Sequence, residues 1–140
     1  MIGKTIDELN VGDRQTFAKT VSEADVYLYA GVTGDFNPAH INEPYAEKTF
    51  FKTRIAHGML SAGFISAILG NRLPGPGTIY LRQTLNFRAP VLIGDTLTAA
   101  VEVMEVIAAK NRVRLKTTCE NQNGIMVLDG EALVSPPKKE

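Results

Sequence analysis

The chain has 140 residues, 44% hydrophobic and 21% charged, with 15 basic and 15 acidic side chains and no net charge. That fits one domain of ordinary size, spanning 1–140, and it lacks the basic excess expected of a nucleic-acid binder. Cys119 stands alone, which excludes a disulfide framework and a cysteine zinc cluster. The stretch from Met1 to Glu8 is too polar for a signal peptide, and no apolar run is long enough to span a bilayer, so a cytoplasmic location is expected.

Asp13 to Val21 reads as a first strand after the turn at Val11-Gly12. Ser22 is a good helix N-cap, and Glu23 and Asp25 suit the positive end of the helix dipole. Val26, Tyr29, Ala30 and Thr33 follow at helical spacing, and Gly34 stops that helix. The segment Gly34-Asp35-Phe36-Asn37-Pro38-Ala39-His40 comes next. Its Asn-Pro pair predicts a fixed, non-helical backbone. Glu43 to Lys48 reads as a short helix and Thr49 to Arg54 as a connection.

Ala56 to Leu69 has only His57, Ser61 and Ser66 as polar side chains. A helix apolar on nearly all faces is a buried one, and Gly70-Asn71 with Pro74-Gly75-Pro76-Gly77 ends it. Beyond Gly77 the pattern has period two. Ile79, Leu81, Leu85 and Phe87 form one apolar row. Leu97, Ala99, Val101 and Val103 form a second, and Val113, Leu115, Thr117 and Cys119 a third. Asn121-Gln122-Asn123-Gly124 marks a hairpin leading into Ile125 to Val134. Long strands with one wet and one dry face predict antiparallel pairing. The elements together predict an α+β hot-dog fold, a sheet wrapped around one buried central helix. Residues 134–140 read as a loose polar tail. Such a sheet keeps open edges, which pairing into a homodimer would cover.

Asp35 and His40 are the candidate acid–base pair. A carboxylate and an imidazole held together can share the two proton movements that add water across a double bond. The alternative is a turn-capping Asp beside an ordinary loop His. Asn37 supports the segment as its turn residue. His57, at a helix boundary, reads as a packing or locally bonded residue. Gly58 opens the buried helix, where backbone N–H groups lack intrahelical partners and carry partial positive charge. These N–H groups suit a thioester carbonyl that becomes enolate-like. No Asp or Glu occurs from Lys48 through Gly94, whereas Lys48, Lys52, Arg54, Arg72, Arg82 and Arg88 do. A positive face of this kind fits the phosphates of coenzyme A or an acidic carrier protein; the alternative is a solvated face.

The segment Gly34 to His40, the run Ile55-Ala56-His57-Gly58-Met59-Leu60, Leu73 to Leu81, and Phe87-Arg88-Ala89-Pro90-Val91-Leu92-Ile93-Gly94-Asp95 resemble the MaoC-like (R)-specific enoyl-CoA hydratases. The likeness covers about Val11 to Val134. It implies a hot-dog homodimer with Asp35 and His40 as the catalytic pair. It also implies a thioester oxygen held by the Gly58 N–H, and Ser66 as a supporting serine. The implied reaction is reversible hydration of a trans-2-enoyl-CoA to an (R)-3-hydroxyacyl-CoA. No metal or organic cofactor is expected, because the thioester activates its own double bond. Which of the two residues protonates C2 is left open. The main alternative is a dehydratase acting on acyl-carrier-protein substrates. A thioesterase is disfavoured because the central helix has no carboxylate. A non-catalytic acyl-CoA-binding module is disfavoured because a binder needs no proton-transfer pair.

Overall fold

The computed structural model describes residues 1–139. After a 3-10 turn at Ile6–Glu8, strand β1 spans Arg14–Thr20 and helix α1 spans Glu23–Thr33. The Ser22 hydroxyl accepts the Asp25 N–H at 3.1 Å, and the Asp25 carboxylate accepts the Ser22 N–H at 2.9 Å. A cap of this kind is worth about 1 kcal/mol. Two short helices follow, α2 (Pro38–Ile41) and α3 (Glu43–Ala46), and then the long helix α4 (Gly58–Asn71). Strands β2 (Ile79–Gln83), β3 (Asn86–Phe87), β4 (Thr96–Ile107), β5 (Arg112–Glu120) and β6 (Met126–Ser135) complete the chain.

Helix α2 departs from the non-helical backbone expected at Asn37-Pro38. Proline fits the first position of a helix, where its missing N–H costs no bond. Asn37 itself keeps ψ at 126°, since a residue before proline avoids the helical region.

The strands lie in the order β1-β4-β5-β6-β2, every pair antiparallel, with β3 also on β6. Helix α4 packs across β1, β4, β5 and β6. Ile65, Ile68 and Leu69 of the helix meet Leu97, Val101, Val103, Val113 and Leu115 of the sheet in a closed core. Each such side chain contributes roughly 1.5–3 kcal/mol on burial. The turn at Asn121–Gly124 is as expected: the Asn121 carboxamide oxygen accepts the N–H groups of Asn123 and Ile125, and Gly124 takes a φ of 73°. The described residues thus form a hot-dog fold. No helix among them is long and apolar enough to cross a membrane.

Four expectations need correction. The first long strand after Gly77 is broken into β2 and β3, with a register shift between Tyr80 and Arg82. At the break the Thr84 carbonyl crosses so close to Gly130 that a Cβ there would overlap it, so only glycine admits the kink. The row Ile79, Leu81 and Phe87 is also not buried: they are 61%, 43% and 55% exposed. Strand β2 is a sheet edge, and nothing among the described residues covers that face. Helix α4 is likewise covered on one side only, because Met59, Gly63, Ser66 and Gly70 face outward from the core. Finally, the expected tail from 134 onward is mostly packed. Val134 and Ser135 complete β6, Pro136 and Pro137 are buried, and Lys138 and Lys139 are exposed. Glu140 lies outside the described residues.

Candidate active site

The segment between α1 and α2 is held by its own side chains. Gly34 ends α1 with φ 83°, and its N–H reaches the Ala30 carbonyl at 2.8 Å. The Asp35 N–H donates to the Thr33 hydroxyl at 3.2 Å, and the Asp35 carboxylate accepts the Asn37 N–H at 3.2 Å. The Asn37 carboxamide oxygen accepts the Ala39 N–H at 3.0 Å and caps α2. Asn37 therefore supports the segment through the backbone, as a turn residue does. The single turn of α2 carries His40 toward the chain leading into α4.

That chain is fixed from both sides. The Ile55 N–H donates to the Ala39 carbonyl at 3.2 Å, and the Ala56 N–H to the Val91 carbonyl at 2.8 Å. His40 Nδ1 lies 2.7 Å from the Ile55 carbonyl. A carbonyl only accepts, so Nδ1 carries the hydrogen and Nε2 keeps a lone pair. The Asp35 carboxylate and the rings of His40 and His57 bring one ligating atom each to within 4.8 Å of one another. The two sequence-predicted proton carriers are thus together. Gly58 is the first residue of α4, so its N–H belongs to the turn without intrahelical acceptors.

These groups line one cavity of about 490 Å³, within the range of small-molecule sites. Asp35, His40 and Gly58 lie on it, together with the apolar side chains of Phe87, Val91 and Leu128. A Cβ on Gly58 would stand 2.7 Å from two carbons of the Phe87 ring, so the absence of a side chain there is what lets the ring and the cavity wall close in.

Ser66 is not brought to this pair within one chain. It is exposed and lines a second cavity of about 470 Å³ with Gly63, Tyr80 and Leu81. Met59 lines both cavities. His57 sits at the helix boundary, packed and bonded as expected. It is 2% exposed, its Nε2 lies 2.9 Å from the Asp35 backbone carbonyl, and its ring stacks on His40 at 3.9 Å. The signal available in the sequence was only its place one residue before Gly58. With Nε2 engaged at the Asp35 carbonyl, the buried His57 Nδ1 has no hydrogen-bond partner.

The basic stretch is less open than its composition suggests. Arg54 pairs with Glu43 at 3.0 Å and Glu23 at 2.9 Å, and Arg88 with Asp129 at 3.0 Å. Arg72 donates to the Thr16 carbonyl and lies over the Phe17 ring. Lys48, Lys52 and Arg82 have no ion pair among the described residues. Burial pushes the Cys119 thiol up to about 12, and its sulfur points at the Ser61 carbonyl, so it is no thiolate nucleophile.

A model of the MaoC-like domain matches residues 9–124. The chain is 56% identical over 133 residues to an (R)-specific enoyl-CoA hydratase of Rhodospirillum rubrum, covering 95% of this chain and 92% of that one. It is 54% identical over 134 residues to a 3-hydroxybutyryl-CoA dehydratase of Methylorubrum extorquens, covering 96% and 85%. The structure superposes on the unliganded R-hydratase PhaJ1 of Pseudomonas aeruginosa with a TM-score of 0.93 at 48% identity, covering 98% and 88%. The chain belongs to the MaoC-like domain family.

Proposed function

We propose that this protein is a hydro-lyase, an (R)-specific enoyl-CoA hydratase. It reversibly adds water to a trans-2-enoyl-CoA to give an (R)-3-hydroxyacyl-CoA. The observation that carries the reading is the convergence of the Asp35 carboxylate and the His40 ring on a cavity that also reaches the start of α4. Likeness to the relatives above supports the substrate class.

In this reading the thioester carbonyl lies against the Gly58 N–H, and conjugation makes C3 electrophilic. His40 Nε2 and the Asp35 carboxylate each accept a hydrogen bond from one water. That water attacks C3 as it gives up a proton to the pair. The electrons of the double bond move toward the carbonyl oxygen, where the helix N-terminus stabilises the enolate-like charge. The pair then returns a proton to C2, and the site is restored. With the Asp35 and His40 groups within 4.8 Å of one another, this reading delivers the hydroxyl and the hydrogen to the same face of the double bond.

The uncovered edge at β2 and the outward face of α4 support a homodimer formed by edge pairing. Lys48, Lys52 and Arg82 are the cations left for the carrier's phosphates. A cytoplasmic place belongs to the same reading. The test is to mix purified protein with a trans-2-enoyl-CoA and, separately, with a saturated acyl-CoA. Loss of the conjugated-thioester absorbance without thiol release from either supports the hydratase. Thiol release from the saturated substrate overturns it in favour of hydrolysis.

A further inference from the structure

The geometry points to His57 as a positioning residue that fixes the proton-transfer pair against the start of the central helix. It rests on Asp35 and His40 being that pair. His57 is the cap position of α4, with extended backbone angles and no side-chain bond to the helix. Its side chain turns away from its own helix to Asp35. The Asp35 carbonyl can only accept, so His57 Nε2 carries the hydrogen, and the buried Nδ1 is the bare nitrogen with no partner. His40 has the opposite arrangement, with the hydrogen on Nδ1. The two rings stack at 3.9 Å with planes 31° apart, and Tyr29 of α1 closes the other contact at 4.6 Å. One buried ring, on the residue before Gly58, thus touches the backbone of one proton carrier, the ring of the other, and Tyr29 of helix α1.

The unpartnered Nδ1 sharpens the argument. Leaving a buried polar atom unsatisfied is destabilising, and a phenyl ring would fill the same space without that cost. The imidazole is explained by its one donor to Asp35. A shift of about an ångström between reacting groups costs roughly a hundredfold in rate, which is the misplacement this bond prevents.

Two measurements test this. The chain has only two histidines, so the nitrogen NMR spectrum of the native, histidine-labelled protein contains two rings. The expected result is an Nε2–H tautomer for His57 and an Nδ1–H tautomer for His40. An Nδ1–H tautomer at His57 would overturn the proposal without any variant being made. In kinetics with an enoyl-CoA, His57→Phe should keep its fold by circular dichroism and lose about tenfold to a hundredfold in kcat. KM should stay within about twofold, because the carrier contacts are untouched. His57→Gln, whose amide nitrogen can reach the Asp35 carbonyl, should recover most of the loss. Wild-type kcat in His57→Phe, or a glutamine variant no better than the phenylalanine one, would contradict it. A failure of the hydratase reading itself would show earlier, as an inactive wild-type protein.

Discussion

At the scale of single residues, Asp35 and Gly58 carry the proposed chemistry. Asp35 is exposed, and its side chain accepts only one backbone hydrogen, from Asn37. Asp35→Asn should therefore melt within a few degrees of the wild type and still lose roughly 100- to 10,000-fold in turnover, the usual weight of an acid–base group. Enoyl-CoA kinetics beside a thermal melt would check both halves. Gly58→Ala should fold, since the Phe87 ring it would meet is more than half exposed and can swing away. Its kcat/KM should fall by at least about tenfold, because the methyl group occupies the approach to the first-turn N–H. Asp35, His40 and Gly58 were legible in the sequence because their chemistry is local: a turn, a cap and the start of a helix. His57 was not, because its partners lie on α1, on α2 and at Asp35, and no spacing along the chain reports them. Ser66 was assigned to the site through family likeness, and one chain places it beside a different cavity.

At the scale of elements Arg54 ties α1 to α3. Its guanidinium joins Glu23 and the Tyr27 hydroxyl of α1 to Glu43 of α3. A hydrogen bond from Thr53, aided by Arg54, holds the Glu43 carboxyl below its ordinary value of 4.5. Hydrogen bonds from Arg54 and Tyr27 do the same for Glu23. A carboxyl with a depressed folded value stabilises fully above its ordinary value, and that contribution is lost as pH falls through the folded one. The melting temperature should therefore drop as pH falls below about 4.5, and Arg54→Met should flatten that drop while lowering Tm by a few degrees near neutrality. A pH-independent difference between the two proteins would sink the idea. Helix α1, helix α4 and strands β4 to β6 were readable because period and caps agree. The break between β2 and β3 was not, since it arises where Thr84 crosses Gly130 from another strand.

At the scale of the whole molecule the apolar residues left outside are where the proposed homodimer would seat a second copy. Ile79, Leu81 and Met59 are exposed along the β2 edge and α4, in a row that the sequence pattern alone would bury. Sedimentation should give about twice the chain mass of 15.2 kDa. Leu81→Lys should shift it toward the monomer and reduce activity with it, since a charge on an edge blocks strand pairing. The period-two pattern put Ile79 and Leu81 on an apolar row, and the proposed edge pairing is what would cover it. The central claim, that one carboxylate–imidazole pair adds water to an enoyl thioester from one face, meets its most direct test in the product. Purified protein with crotonyl-CoA should lose the conjugated absorbance and yield the (R)-3-hydroxy thioester. No loss of absorbance by folded protein, or an (S) product, would contradict the account.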